Sequence, residues 1–246
     1  MKTAATLNAL ALLFAAVPAL AQDPIPAATA AVADDARPAA DRERDPNRKP
    51  AEIVTFAGVK PGDIVAEIAP GRGYYTRILA KTVGPNGKVY ALVPAVMASR
   101  PGALDALNAL AAQYGNVEVV AVDMAKFSLP EPVDLVWTTE NYHDFHNGPA
   151  GNIARINGSV FAALKPGGTY FVEDHAAKDG TGTTATSELH RIDPAAVIAD
   201  ATAAGFMLDD RSDILANPAD PKDVPSADPA IRGETEKFAL RFKKPG

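Results

Sequence analysis

Short, almost uninterrupted apolar runs alternate with longer mixed segments from residue 51 to the end of the chain. Runs such as VEVVAV at 117–122 and VDLVW at 133–137 have no regular polar face. That is the pattern of strands covered on both sides in a parallel sheet, with connecting helices between them. The pattern predicts a short helix over 51–57 closed by Gly58, then strands over 64–69, 88–93, 117–122, 133–139 and 169–174. A sixth strand begins at Gly205 and a last one covers 236–243, while helices are predicted over 74–83, 101–114, 150–164 and from Asp193-Pro194 to 204. Gly84-Pro85 stops the first of these four helices, and Asn86-Gly87 and Lys165-Pro166-Gly167-Gly168 turn the chain into the second and fifth strands. The array is one α/β domain over 51–246, long enough for a full core, without an internal repeat.

The first fifty residues have a different character. Lys2, an apolar run over 4–17 and Ala19-Leu20-Ala21 before Gln22 form the pattern of a secretory signal over 1–21, ending too soon at Pro18 to cross a bilayer. The expected address is extracytoplasmic, periplasmic in a Gram-negative-like cell. Residues 22–50 are rich in Ala, Pro, Asp and Arg, lack apolar periodicity and are expected to be a disordered linker. The charged end of that stretch, DRERDPNRKP, could alternatively fold over the domain as a lid. The chain has no cysteine, which fits an exported protein without disulfides and excludes thiolate chemistry. Removing residues 1–21 takes away Lys2 alone and moves the net charge from −6 to −7. Such an acidic chain has no electrostatic footprint for nucleic acid or for an anionic membrane surface.

One turn concentrates the candidate chemistry. In DIVAEIAPGRGYYT, residues 63–76, an apolar strand reaches Glu67, a Pro-Gly-x-Gly turn follows, and a helix opens at Tyr74. Gly71 and Gly73 let the backbone approach a ligand closely, and the helix points free N–H groups and its positive end back into the turn. A carboxylate beside such a turn suits a ligand carrying an amino group and a ribose. Neither the dinucleotide fingerprint G-x-G-x-x-G nor the phosphate loop G-x-x-x-x-G-K-[ST] is present.

Glu67 with glycines four and six residues later resembles the first motif of class I S-adenosylmethionine-dependent methyltransferases, with Ala69 where that family usually has another glycine. The turn Leu164-Lys165-Pro166-Gly167-Gly168, the segment Val122-Asp123-Met124 with Leu129-Pro130, and the strand and exit loop PVDLVWTTENYHD add three further marks in the family's order. The resemblance covers nearly all of 51–244. It implies a Rossmann-like, doubly wound sheet of seven strands with the last antiparallel. It also implies an S-adenosylmethionine site at Glu67, Ala69, Gly71, Gly73, Tyr74, Asp123 and Met124. The segments 67–76, 141–147 (NYHDFHN) and 228–235 (DPAIRGET) are most similar to a group of exported bacterial proteins predicted to be methyltransferases. One departure stands out: the second strand reads KVYALVP, with Val93 where the family has an acid for the ribose hydroxyls.

In a doubly wound sheet ligands bind beyond the carboxyl ends of the strands. All four histidines, His143, His146, His175 and His190, fall in segments expected there, together with Asn141, Asp144, Asp174, Glu188, Arg191, Arg232 and Glu234. For methyl transfer to a small-molecule acceptor, the catalytic set is His143 as base, Asp144 or Asp174 to orient it, and His175. Tyr74 and Tyr75 are candidates to pack near a sulfonium. His143-x-x-His146 with Asp174 and His175 is also a possible nitrogen and oxygen set for zinc or manganese, although no metal is assigned on so loose a pattern. No G-x-S-x-G elbow supports a serine hydrolase. The alternative function is a repurposed fold that binds a periplasmic ligand or metal without catalysis, for which export and Val93 speak.

Overall fold

The computed structural model describes residues 23–147 and 152–246. The expected signal segment lies outside them, as do residues 150 and 151 of the predicted third long helix. Seven strands form one sheet: β1 (Ile64–Ile68), β2 (Lys88–Pro94), β3 (Val117–Val122), β4 (Val133–Thr139), β5 (Leu164–His175), β6 (Met207–Ser212) and β7 (Lys237–Lys243). Their order is β3-β2-β1-β4-β5-β7-β6. β1 to β5 run parallel, and β7 lies antiparallel to both β5 and β6, as expected from the sequence. The order reverses at β1 and β4, which opens the crevice where ligands bind in such sheets.

Alternate side chains of each strand serve two separate core layers. On one face Val65, Leu135, Trp137 and Phe171 pack under helices α1 (Pro26–Val32), α4 (Pro50–Ala57) and α5 (Tyr74–Val83). On the other, Ile68, Leu92, Val136, Tyr170 and Val172 pack under α8 (Ile153–Ala163) and α9 (Pro194–Ala203). The remaining helices are α2 (Ala39–Arg42), α3 (Asp45–Arg48), α6 (Ala95–Ala98) and α7 (Asp105–Tyr114). No helix among the described residues is long and apolar enough to cross a membrane.

The described part of residues 22–50 is not the disordered linker that its composition predicts. Ala28 and Ala31 of α1 are fully buried in the layer with α4 and α5. The Ile25 N–H donates to Thr55 Oγ1 at 2.9 Å. Arg37, itself buried, donates through both terminal nitrogens to the Asp45 carboxylate at 2.8 and 2.7 Å. Alanine packing and arginine–carboxylate forks leave no apolar period in the sequence, so the segment reads as linker although it forms cover. Within the charged stretch, for which a lid is the second expectation, Asp41, Arg44 and Arg48 line a cavity together with Gly71.

Candidate active site

Three positive φ angles in five residues shape the turn after β1: Ala69 at 50°, Gly71 at 59° and Gly73 at 83°. The left-handed conformation costs an L-residue about 1–2 kcal/mol, so Ala69 holds under strain the shape that a glycine would take freely. Its N–H donates to the Leu92 carbonyl at 2.9 Å, which ties the turn to β2. At Gly73 an added Cβ would stand 2.4 Å from Leu110 Cδ1, whereas at Gly71 it would meet nothing within 4 Å. Gly73 is therefore needed for packing, and Gly71 leaves open space beside the backbone.

Glu67, one residue before the end of β1, is almost wholly buried, and its carboxylate accepts a hydrogen bond from Thr76 Oγ1 at 2.5 Å. Burial pushes its carboxyl up to about 7; the Thr76 hydroxyl and the charge of Arg77 pull the other way and offset only part of that. A cavity of about 180 Å³ opens beside it, lined by Glu67, Ala69, Gly71, Tyr74, Glu140 and Arg48 among others.

Arginines from the N-terminal segment roof this cavity. The guanidinium of Arg48 lies 4.7 Å from the Tyr74 ring centre and 5.7 Å from that of Tyr75, with Arg44 at 5.0 Å and Arg37 at 5.4 Å from Tyr74. The Tyr74 hydroxyl donates to Asp45 at 2.6 Å. These cation–π partners are thus arginines of the chain itself. Tyr75 is turned into the core, its ring 4.8 Å from Trp137.

A second cavity of about 520 Å³ adjoins the first and shares Arg44, Arg48 and Glu140 with it; Glu43, His175, Arg232 and Lys237 also line it. Glu140, at φ 54°, is bound by Arg48 and by Lys237 Nζ at 3.1 Å. Burial opposes its charge, but Lys237 and Arg48 more than offset this and hold the carboxyl well below the usual range. Glu173 beneath it is fully buried, 3.9 Å from Lys237 Nζ, and burial pushes it up to about 7. His175 is pushed down to about 4 by burial, and its Nδ1 lies 2.8 Å from Thr235 Oγ1.

The expected base, His143, lines neither cavity. It sits on a 3-10 turn, Tyr142–His146, and its Nδ1 faces the buried Asp174 carboxylate at 2.8 and 3.0 Å. The backbone N–H groups of His143 and His175 each donate to the same carboxylate at 2.7 Å. Burial works against the charged ring, yet Asp174 outweighs it and holds His143 above the ordinary imidazole range. His190 and Asp144 stand on its other side. His146 does not join them; its Nε2 lies 3.0 Å from Asp200. The structure therefore groups His143, Asp144, Asp174 and His175 as one constellation, in which only His175 reaches the larger cavity. Asp123 is exposed beyond β3 and accepts the Ala125 N–H at 3.0 Å, and Met124 packs on the core beside it; neither lines the smaller cavity. Val93 and Pro94 end β2 without a polar side chain, and β3 pairs with them through Ala121 and Val122, one residue before Asp123.

Several lining residues, Arg44, Arg48, Glu140 and Lys237 among them, are not in the site expected from the sequence. Arg48 was read only as part of a charged stretch, Glu140 lies inside the exit loop between Thr139 and Asn141, and Lys237 opens the last strand. The charge density of 41–50 was the one available signal for Arg48.

Comparison with known proteins agrees with this architecture. No protein-family model matches the chain. A protein-L-isoaspartate O-methyltransferase of Ignicoccus hospitalis is 37% identical over 92 residues, a stretch covering 36% of this chain and 41% of that protein. Among solved structures, a SAM-dependent methyltransferase from Aquifex aeolicus superposes with a TM-score of 0.58 at 18% identity, over 85% of this chain and 98% of the other. The cyclase SpnF superposes with 0.57 at 17% identity, over 87% and 85%. The fold is that of the class I S-adenosylmethionine-dependent methyltransferases. Its presence in a protein named as a cyclase shows that the fold does not by itself decide the reaction.

Proposed function

We propose that this protein is a S-adenosylmethionine-dependent methyltransferase that acts on a small polar acceptor. The observation that carries this is the cavity at the glycine turn, with buried Glu67 on one side, open backbone at Gly71, and a second, larger cavity that shares Arg44, Arg48 and Glu140 with it. The residues present fit the cofactor at the turn: Glu67 offers a carboxylate to an amino group, and Gly71 leaves room for a ligand against the backbone. Asp123 and Met124 stand at the rim where the resemblance implies the adenine, and Val93 offers nothing to the ribose. When bound, S-adenosylmethionine supplies an electrophilic methyl group on a sulfonium.

The chain's own residues would then do the rest. Arg44 and Arg48 line both cavities and would cover a ligand from the side of the N-terminal segment. The larger cavity has four cationic side chains, Arg44, Arg48, Arg232 and Lys237, against the carboxylates of Glu43 and Glu140, which favours an acceptor carrying a negative group. His175, which burial keeps neutral, would take the acceptor's proton as a weak base through the ring nitrogen that Thr235 does not engage. This moves the base from His143, which faces away from the cavity. The export signal remains part of the reading on its residue pattern alone. The mass of the protein recovered from its native host checks it: a chain beginning at Gln22 supports export, and one retaining Met1 removes it.

Calorimetric titration with S-adenosylmethionine and, separately, S-adenosylhomocysteine tests the cofactor. Micromolar binding is expected, with loss in Gly71→Arg, whose side chain would fill the open space beside the turn. Absence of binding at millimolar ligand would overturn the reading and leave a non-catalytic use of the fold. Equal affinity in a folded Gly71→Arg variant would take the turn out of the site.

A further inference from the structure

Three side chains from two loops converge beside the larger cavity without lining it. His143 and Asp144 come from the 3-10 turn after β4, and His190 from the loop before α9. His143 Nε2 lies 3.3 Å from His190 Nδ1 and 3.5 Å from Asp144 Oδ1, and the remaining pair, His190 Nδ1 to Asp144 Oδ1, is 3.4 Å apart. The atoms form a nearly equilateral triangle, with edges longer than the about 2.7–3.0 Å of a good hydrogen bond between such groups. Four-coordinate zinc, with bonds of about 2.0–2.1 Å, holds its donor atoms about 3.3–3.4 Å apart, the edge of the tetrahedron. A six-coordinate ion with bonds of about 2.1 Å would need edges of about 3.0 Å.

Two further observations point the same way. The Asp174 carboxylate, fully buried and fixed by two backbone N–H groups, engages His143 Nδ1. This holds the Nδ1–H tautomer and turns the Nε2 lone pair towards the triangle, the carboxylate–histidine arrangement found behind metal ligands. His190 adopts φ 50°, an uncommon left-handed backbone that histidine takes more readily than most residues, and its ring meets the other two groups there. Asp144 and His190 are each about half exposed, with side-chain accessibilities of 54% and 49%, so the triangle opens to solvent on one side.

We infer that His143 Nε2, the Asp144 carboxylate and His190 Nδ1 bind one zinc ion, with a fourth position open to water or to a ligand oxygen. This set differs from the one the H-x-x-H pattern offers, because His146 is directed at Asp200 and Asp174 stands behind a ligand. The site would join the exit loop of β4 to the 176–191 loop. The ring of His143 is 6.2 Å from that of His175, which places the site beside the acceptor cavity.

The test uses the full chain, purified without a histidine tag and stripped with chelator. Zinc is titrated by calorimetry, and cobalt is added separately as a probe whose visible absorption reports tetrahedral coordination. One equivalent of zinc is expected, with a tetrahedral cobalt spectrum. His190→Ala and Asp144→Ala, both at half-exposed positions, should retain the circular dichroism of the parent and lose stoichiometric binding. Asp174→Asn should weaken binding about 10–100-fold. Failure to saturate at millimolar zinc would overturn the proposal. So would one-equivalent binding that survives both His190→Ala and Asp144→Ala unchanged.

Discussion

Arg191→Ala is expected to destabilise the protein by about 3–5 kcal/mol, the cost of leaving one partner of a buried ion pair uncompensated. Both side chains of the Arg191–Asp220 pair are fully inaccessible. Arg191 donates through its two terminal nitrogens to Asp220 at 2.8 and 3.0 Å, and also to the carbonyls of Val224 and Ala176. Asp220 in turn accepts the backbone N–H groups of Lys222 and Glu236. One guanidinium therefore ties the 176–191 loop to β5's exit and to the 220–236 connection, and the last two supply His175, Ser226, Ala227, Arg232 and Gly233 to the wall of the larger cavity. Arg191→Lys should recover only part of the loss, because an ammonium cannot make the two-pronged contact. Urea unfolding measures it; a change below about 1 kcal/mol, the size of an exposed pair, would show that the pair does not hold the wall.

Glu67→Gln is expected to alter stability and ligand affinity in opposite directions. The folded protein holds the Glu67 carboxyl at about 7 instead of the ordinary 4.5, so between these values the native state keeps a proton that the unfolded chain has lost. The group's favourable contribution is present in full below the unfolded value and is lost as pH rises through about 7. A shift of this size corresponds to about 3 kcal/mol. Glutamine is neutral throughout and still accepts from Thr76, so the ligand-free variant should be the more stable by up to about 3 kcal/mol near pH 8, with the difference vanishing below about pH 4. Binding a ligand ammonium beside Glu67 would favour the carboxylate and release a proton. The variant should therefore bind S-adenosylmethionine about tenfold more weakly or worse and show no proton release in buffers of different ionisation enthalpy. Parallel stability curves for the two proteins from pH 5 to about 8 would mean that Glu67 is ionised in the fold.

The alternation of strands and helices was legible because a covered strand must be apolar on both faces, and the five runs expected as β1 to β5 all lie in the sheet. The sheet's last antiparallel pair followed from the resemblance. At the turn, Gly71 and Gly73 stood out because only glycine takes such backbone angles freely, and Ala69 adopts the same region despite its side chain. The rim position of the histidines followed from strand direction alone.

What remained illegible depends on contacts between residues far apart in the chain. Alanine packing of α1 on α5 and the arginine roof over Tyr74 leave no periodic trace, so residues 23–50 carried the composition of a linker. The raised carboxyls of Glu67 and Glu173 come from burial, which the covering elements set. His143 was chosen as base for its type and position, yet the tertiary structure turns its Nε2 towards His190, 47 residues away, and leaves His175 at the cavity. The sequence by itself determined the layered fold and the glycine turn, because local conformation and hydrophobic pattern are properties of neighbouring residues. Only the tertiary structure decided which polar groups face each other, because distance and desolvation arise when separate segments close over the sheet.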